Sequence, residues 1–252
     1  MSWIPRILPH HVSILLSTLP SEYNCLNILK KVLPHDSQYL EIQSLPVDVS
    51  QEILTDWLAS NSRKINDHQM DVVRRAIQSC SLPLYLKLVF DQTVAWHSYD
   101  KISSKHLPST IPLMIDALLD RLERMHGKVL VSRALAYITA TKSGLTEPEL
   151  EDLLSCDDLV LQDVYQYWLP PVRRIPPLLW TRIRNDINEY LVEREADGSQ
   201  VIYWYHRQFT EVVRRRYLDN DRIKKEIHSL CADYYIGKWA NVNKPFEYTP
   251  QQ

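Results

Sequence analysis

The chain has 252 residues, 45% hydrophobic and 24% charged, and its 29 Lys+Arg against 31 Asp+Glu leave a formal net charge of −2. That composition suits one large or two modest globular domains and excludes disordered, collagenous and coiled-coil classes. The near balance of charge also removes the simplest electrostatic argument for a nucleic-acid partner.

Only four glycines, Gly127, Gly144, Gly198 and Gly237, stand against 15 prolines. No G-x-x-x-x-G-K-[ST], G-x-G-x-x-G or G-x-S-x-G occurs, so no Gly-rich phosphate cradle or nucleophile elbow is present in the sequence. Cys25, Cys80, Cys156 and Cys231 are far apart and form no zinc-binding spacing, which fits a reducing compartment. The first apolar run, residues 12–19, is too short to span a bilayer and is interrupted by Ser13 and Ser17, so a cytoplasmic protein without a membrane partner is expected.

In chain order, residues 11–17 form a near-continuous apolar run of strand length, residues 25–33 carry a helical apolar period, and residues 38–42 read as a second short strand. A parallel pair with a right-handed crossover follows. Two strands do not make a stable sheet, so residues 1–46 read as the end of a doubly wound domain whose front is missing.

From residue 47 the period is helical. Ile53, Leu54, Trp57 and Leu58 form one stripe, Asp67 is placed to cap a helix carrying Met70, Val73 and Ile77, and another helix is predicted from Leu84 to about Trp96. Thr110 and Pro112 open an amphipathic stretch that Gly127 closes, so residues 47–127 read as a helical domain.

Residues 129–139 predict a further helix. Thr146-Glu-Pro-Glu149 is a capping box before a short one, and residues 158–168 and 177–191 predict two more. Residues 190–195 and 200–205 flank Asp197-Gly198, a hairpin signal. Helices followed by a β-wing are the order of a winged helix-turn-helix, here residues 128–218. Residues 209–218 and 222–239 predict two final helices, and residues 240–252 read as a polar tail, so 219–252 form a trailing helix and linker.

No catalytic constellation and no metal-ligand set is predicted, since the nine histidines are scattered and none lies in H-E-x-x-H or beside a nucleophile motif. As a nucleic-acid binder the chain would use residues 177–191 as recognition helix, with Arg182 and Arg184 facing the groove. Asp186 and Glu189 cancel those arginines, however, and residues 145–163 hold seven acids with no Lys or Arg, a face that repels phosphate. Arg214-Arg215-Arg216 with Arg207, Lys224 and Lys225 is basic, but the interspersed Glu211, Asp219, Asp221 and Glu226 predict an ordinary solvated helix surface.

The order βαβ, helical domain, winged helix, further helices resembles the back half of a NACHT-type (STAND-class) signal-transduction NTPase, closest to the NACHT and WD-repeat proteins. The stretches that carry the likeness are Ser2-Trp-Ile-Pro-Arg-Ile-Leu-Pro9 into residues 12–20, Ser81-Leu-Pro-Leu-Tyr-Leu-Lys-Leu88, Gly144-Leu-Thr-Glu-Pro-Glu-Leu-Glu-Asp-Leu-Leu154, Arg174-Ile-Pro-Pro-Leu-Leu-Trp-Thr-Arg-Ile-Arg184 and Trp204-Tyr-His-Arg-Gln-Phe209.

The resemblance implies a mainly α fold with a small α/β remnant: the end of a P-loop NTPase parallel sheet, a helical domain, a winged helix with its hairpin, and trailing helices. It also implies ATP or ADP held between these domains. Ser17 and Thr18 resemble the first sensor, which faces the γ-phosphate, although the arginine often found there is absent. Pro83 resembles the helical-domain proline that packs on adenine. His206 resembles the histidine that hydrogen-bonds the ADP β-phosphate in the closed state. The residues alone leave simpler readings open: a strand end, a proline at N1 and a capping histidine.

No Walker A or Walker B is present, so hydrolysis by this chain alone is not expected, Mg²⁺ enters only with the missing P-loop part, and the isolated chain is expected to hold no cofactor. The implied function is that of a fragment of a nucleotide-gated switch, with protein partners, a homo-oligomer formed through the nucleotide module, and a WD-repeat propeller downstream. A winged-helix nucleic-acid binder and a ligand-free structural adaptor are the alternatives.

Overall fold

The computed structural model describes residues 9–19, 24–166, 173–196, 198–240 and 242–243. It divides into two compact units, residues 1–44 and 45–252, each taken by itself. Residues 2–8 of the first resemblance stretch, the predicted helix end at 167–168, Asp197 of the hairpin turn and nearly all of the tail lie outside the described residues.

In the first unit, α1 spans Cys25–Val32 and a 3-10 turn follows at Asp36–Gln38. Leu29 is buried, and the Tyr39 hydroxyl donates to the Leu33 carbonyl at 2.9 Å, folding the following chain back on α1. The strands predicted at 11–17 and 38–42 are not formed among the described residues. Leu15, Leu40 and Ile42 are 99%, 89% and 90% exposed. Apolar composition alone does not make a strand: a parallel strand exists through bonded neighbours and covering helices, and these two runs find neither among the described residues of their unit.

The second unit is mainly helical, with two small two-stranded sheets. It contains α2 (Val47–Ser60), α3 (Asp67–Ser79), α4 (Pro83–Val94), α5 (Ile111–His126), α6 (Lys128–Ala140), α7 (Glu147–Cys156), α8 (Asp158–Val164) and α9 (Pro177–Ile187). Then come β1 (Leu191–Ala196), β2 (Ser199–Trp204), α10 (Arg207–Tyr217), α11 (Asp221–Tyr235), and the short strands β3 (Lys238–Trp239) and β4 (Val242–Asn243). The mainly helical fold and the winged-helix hairpin are as the sequence predicts.

Local chemistry sets the boundaries. Asn66, not Asp67, caps α3: its side chain accepts from the Gln69 amide at 2.9 Å, and the Gln69 side chain accepts from the Asn66 amide at 3.1 Å. That reciprocal box satisfies two orphan donors at once, leaving Asp67 as a first-turn acid on the helix dipole. The Thr146–Glu149 box at α7 forms as predicted, at 3.2 and 2.8 Å. Between α5 and α6 there is a single residue, Gly127, at φ +93°. Its amide caps α5 at the Glu123 carbonyl, and its carbonyl accepts from Val131 in the first turn of α6. Two predicted helices are shorter than expected: α9 gives way to a 3-10 turn at Asn188–Tyr190, and α11 ends at Tyr235 because Gly237, at φ +86°, turns the chain into β3.

β1 and β2 pair antiparallel from Leu191↔Trp204 to Ala196↔Ser199. Leu145 adds a third element by bridging Ile202, with amide-to-carbonyl bonds of 3.2 and 2.7 Å. Gly144, at φ +89°, makes this approach feasible, since a Cβ there would sit 2.7 Å from the Ile202 carbonyl oxygen. One continuous core runs from Leu54 and Tyr85 through Met114, Tyr137 and Trp180 to Phe209 and Ile227. α6 is its axis, buried from Leu130 to Thr139 except at Ser132, and packed by α5, α7, α8, α10 and α11, as befits a helix apolar on most sides.

Candidate functional site

β2 delivers the chain to Tyr205 and His206, and His206 becomes the N-cap of α10 in extended conformation. Its Nδ1 accepts from the Gln208 amide at 3.2 Å, so the ring proton sits on Nε2. Burial, and then the charge of Arg207, lower its pKa below the ordinary histidine value. An imidazole that keeps an N–H donor at a helix N-terminus is suited to an anion.

Pro83 is the first residue of α4 and is exposed; its missing N–H costs nothing there. Half a turn on, the buried Tyr85 hydroxyl donates to the Pro108 carbonyl at 2.7 Å, and burial pushes its pKa up to about 12. One turn after Pro83, the Lys87 ammonium pairs with Asp91 at 3.0 Å and with Glu189. Its partial burial opposes the charge, but the two carboxylates outweigh it and hold its pKa above the ordinary lysine value.

The supports of Pro83 and His206 meet at Tyr190. The Tyr190 hydroxyl donates to Asp91 on α4, its carbonyl accepts from the Tyr205 amide at 2.8 Å, and its ring lies 4.6 Å from that of Phe209 in the first turn of α10. Trp204 stacks on the same Phe209 at 5.2 Å. Burial and the Asp91 carboxylate push the Tyr190 pKa far up, so it remains a hydroxyl donor. Arg121 ties α5 into the cluster through the Asp91 carbonyl at 3.3 Å and the Gln92 side chain at 3.1 Å.

Sequence reasoning missed Asp91, Glu189 and Tyr190 as a group. Asp91 and Tyr190 are 99 residues apart, and nothing in either local pattern announces the pairing. Ser17 and Thr18 belong to the first unit, where both are exposed; the Thr18 hydroxyl donates to the Leu19 carbonyl at 3.4 Å. The strand end that motivated their sensor reading is not formed there among the described residues.

The charged stretches are largely internal ties. Arg184, with its side chain 16% exposed, pairs with Glu147 at 2.6 Å and with Glu193, so it does not project as a groove-reading residue. Arg182 is exposed. Arg216 meets Asp120 at 2.5 Å and Glu123 at 3.0 Å, and Arg215 meets Asp116 at 2.5 Å. Of the basic cluster, Arg215 and Arg216 thus fasten α10 to α5, while Arg207, Arg214, Lys224 and Lys225 are exposed, as predicted for a solvated surface.

The acids before it behave likewise. Asp157, 2% exposed, accepts from the Tyr137 hydroxyl at 2.8 Å and faces Arg133 at 3.4 Å, while Asp158 pairs with Arg173 at 2.5 Å. Arg133 also reaches Glu226 of α11 at 2.6 Å, and the Tyr234 hydroxyl donates to Asp152 at 3.0 Å. No group of His, Cys, Asp and Glu able to hold a metal ion occurs among the described residues. None of the four cysteines is in a disulfide, and burial pushes the Cys231 thiol up to about 11, away from thiolate chemistry. Among the described residues no helix is long and apolar enough to cross a membrane.

The family model for the NWD1-like winged helix-turn-helix domain matches residues 100–225, half of the chain. The chain is 36% identical over 245 residues to human (Homo sapiens) NACHT domain- and WD repeat-containing protein 1, covering 96% of this chain and 16% of that relative. The mouse (Mus musculus) protein of that name is 36% identical over 95% of this chain and 15% of its own, and mouse NACHT and WD repeat domain-containing protein 2 is 33% identical over 94% and 14%. The chain therefore spans about one sixth of the length of these curated relatives. No solved structure matches it. With the winged-helix match over residues 100–225 and a likeness that runs nearly end to end, the chain belongs to the NACHT and WD-repeat protein family, in the part that carries the NWD1-like winged helix-turn-helix domain.

Proposed function

We propose that the chain is the helical and winged-helix part of a nucleotide-dependent signalling switch, in which ATP or ADP held against a P-loop domain sets the domain packing and hence assembly with protein partners, homo-oligomerisation included. In that reading the chain works in the cytoplasm and is followed by WD repeats. Its own residues supply contacts rather than chemistry: Pro83 offers a flat apolar surface for a base, His206 offers Nε2–H to a phosphate oxygen, and Ser17 or Thr18 offers a hydroxyl. The P-loop part supplies Mg²⁺ binding and any hydrolysis.

The observation that carries the reading is the state of His206. Its Nδ1 accepts from the Gln208 amide, burial and the Arg207 charge hold its pKa below the ordinary histidine value, and the ring stands at the N-cap of α10 with Nε2–H as its remaining donor.

The test is ADP affinity with a P-loop domain supplied to the chain, on the same polypeptide or as a separate protein. A hydrogen bond to a charged group is worth about 1.5–3 kcal/mol, so His206→Ala is expected to weaken ADP roughly 10–100-fold. Unchanged affinity would overturn the role of His206, and no ADP binding by the parent protein would leave the structural adaptor as the better account.

A further inference from the structure

Pro83 and His206 stand at the starts of two helices, α4 and α10, that belong to different layers of the second unit. What connects them is a short polar and aromatic chain. Tyr190 lies at the foot of β1; it bonds to α4 through its hydroxyl and packs on Phe209 of α10 through its ring. Its backbone carbonyl also fixes the Tyr205 amide, immediately before His206. Lys87 and Glu189 add a second link, one turn along α4 and one residue before Tyr190.

We propose that Tyr190, through its hydrogen bond to Asp91, is the positioning residue that couples the His206 turn to α4, so that displacement of that turn loosens α4 and the reverse. The nucleotide is the driver only if the reading of His206 above holds; the coupling itself belongs to the ligand-free protein and is measured there.

The physical argument rests on the two faces of this one residue. Tyr190 is buried, so its hydroxyl must be partnered, and moving the ring away from Asp91 leaves a buried donor and a carboxylate without each other. Its ring is packed against Phe209, whose own amide bonds to the His206 carbonyl at 3.0 Å. A rotation of the His206 turn carries Phe209 with it, and close-packed aromatic rings do not shift independently. Such a pair therefore favours two discrete arrangements over a graded one.

The experiment is amide hydrogen exchange on the 252-residue chain with Tyr190→Phe, which removes one oxygen and keeps the ring. Exchange is expected to quicken about tenfold both at the C-terminal half of α4 and at Gln208 and Phe209, with α6 unchanged. Asp91→Asn keeps an oxygen for the hydroxyl and is expected to restrain both sites better than Asp91→Leu.

Tyr85→Phe is the comparison, because that hydroxyl also anchors α4 but to Pro108, away from α10; it is expected to leave Gln208 and Phe209 unchanged. Quickening confined to α4, or spread equally over α6, would overturn the coupling. Coupled exchange in a protein whose ADP affinity ignores His206→Ala would keep this inference and remove the nucleotide reading. The opposite pair of results would do the reverse.

Discussion

Replacing Gly144 by alanine tests how the third element of the wing is held. The residue sits at φ +89°, where an L side chain is strained by about 1–2 kcal/mol. The added Cβ would also lie 2.7 Å from the Ile202 carbonyl oxygen and 3.2 Å from Val201 Cβ and Cγ2. The oxygen is main chain in a paired strand, so relief requires Leu145 to withdraw from β2. That motion gives up the two Leu145–Ile202 hydrogen bonds, each worth about 1 kcal/mol net. The sum is about 3–4 kcal/mol, which for a domain of this size is a loss of roughly 6–16 °C in Tm.

Gly198→Ala is the matched control. It has φ +77° in the hairpin turn but nothing within 4 Å of the added carbon, so only the backbone strain of about 1–2 kcal/mol applies. Thermal melting of the two variants side by side decides the matter. Equal losses would mean that the approach of Leu145 to β2 carries no weight, and that conformational preference alone explains Gly144.

Two other outcomes follow from the charges. Arg133→Met strands the buried Asp157 carboxylate and is expected to cost about 3 kcal/mol, whereas Glu226→Gln, at the outer end of the same network, should cost under about 1 kcal/mol; comparable losses in denaturant unfolding would contradict that ordering. For His206, the folded pKa is below the ordinary value, so as pH falls the unfolded chain takes up this proton before the folded one does. Its contribution is complete above the unfolded pKa of about 6.5 and is lost as pH falls below it. His206→Gln should therefore flatten the decline of Tm between pH 7 and 5, and an unchanged slope would refute the assignment.

Local signals were the most legible. The Thr146–Glu149 box, the β1–β2 hairpin around Gly198 and the Thr110–Gly127 helix each rest on residues within one or two turns, and a sequence displays such neighbours directly. Asn66 and Asp67 are both good caps and stand side by side, and only the Gln69 side chain, reaching back, decides between them. The failures are non-local. Residues 11–17 and 38–42 have strand composition, but pairing depends on neighbours that composition does not supply. The role of Arg215 and Arg216 depends on Asp116, Asp120 and Glu123, about a hundred residues earlier, and the wing's third element on a glycine whose importance is only its missing carbon. At the candidate site, sequence singled out Pro83 and His206, while Tyr190, which joins their supports, looked like one more apolar position on a helix face.

The single residue between α5 and α6 makes the length of this region a matter of phase. An α-helix advances about 100° per residue, so one amino acid inserted beside Gly127 would turn α6 by that angle about its own axis. Leu130, Ala134 and Leu135 would leave their places among the surrounding helices, and Arg133 would swing away from Asp157. Such an elbow tolerates exchange of side chains but no change in spacing.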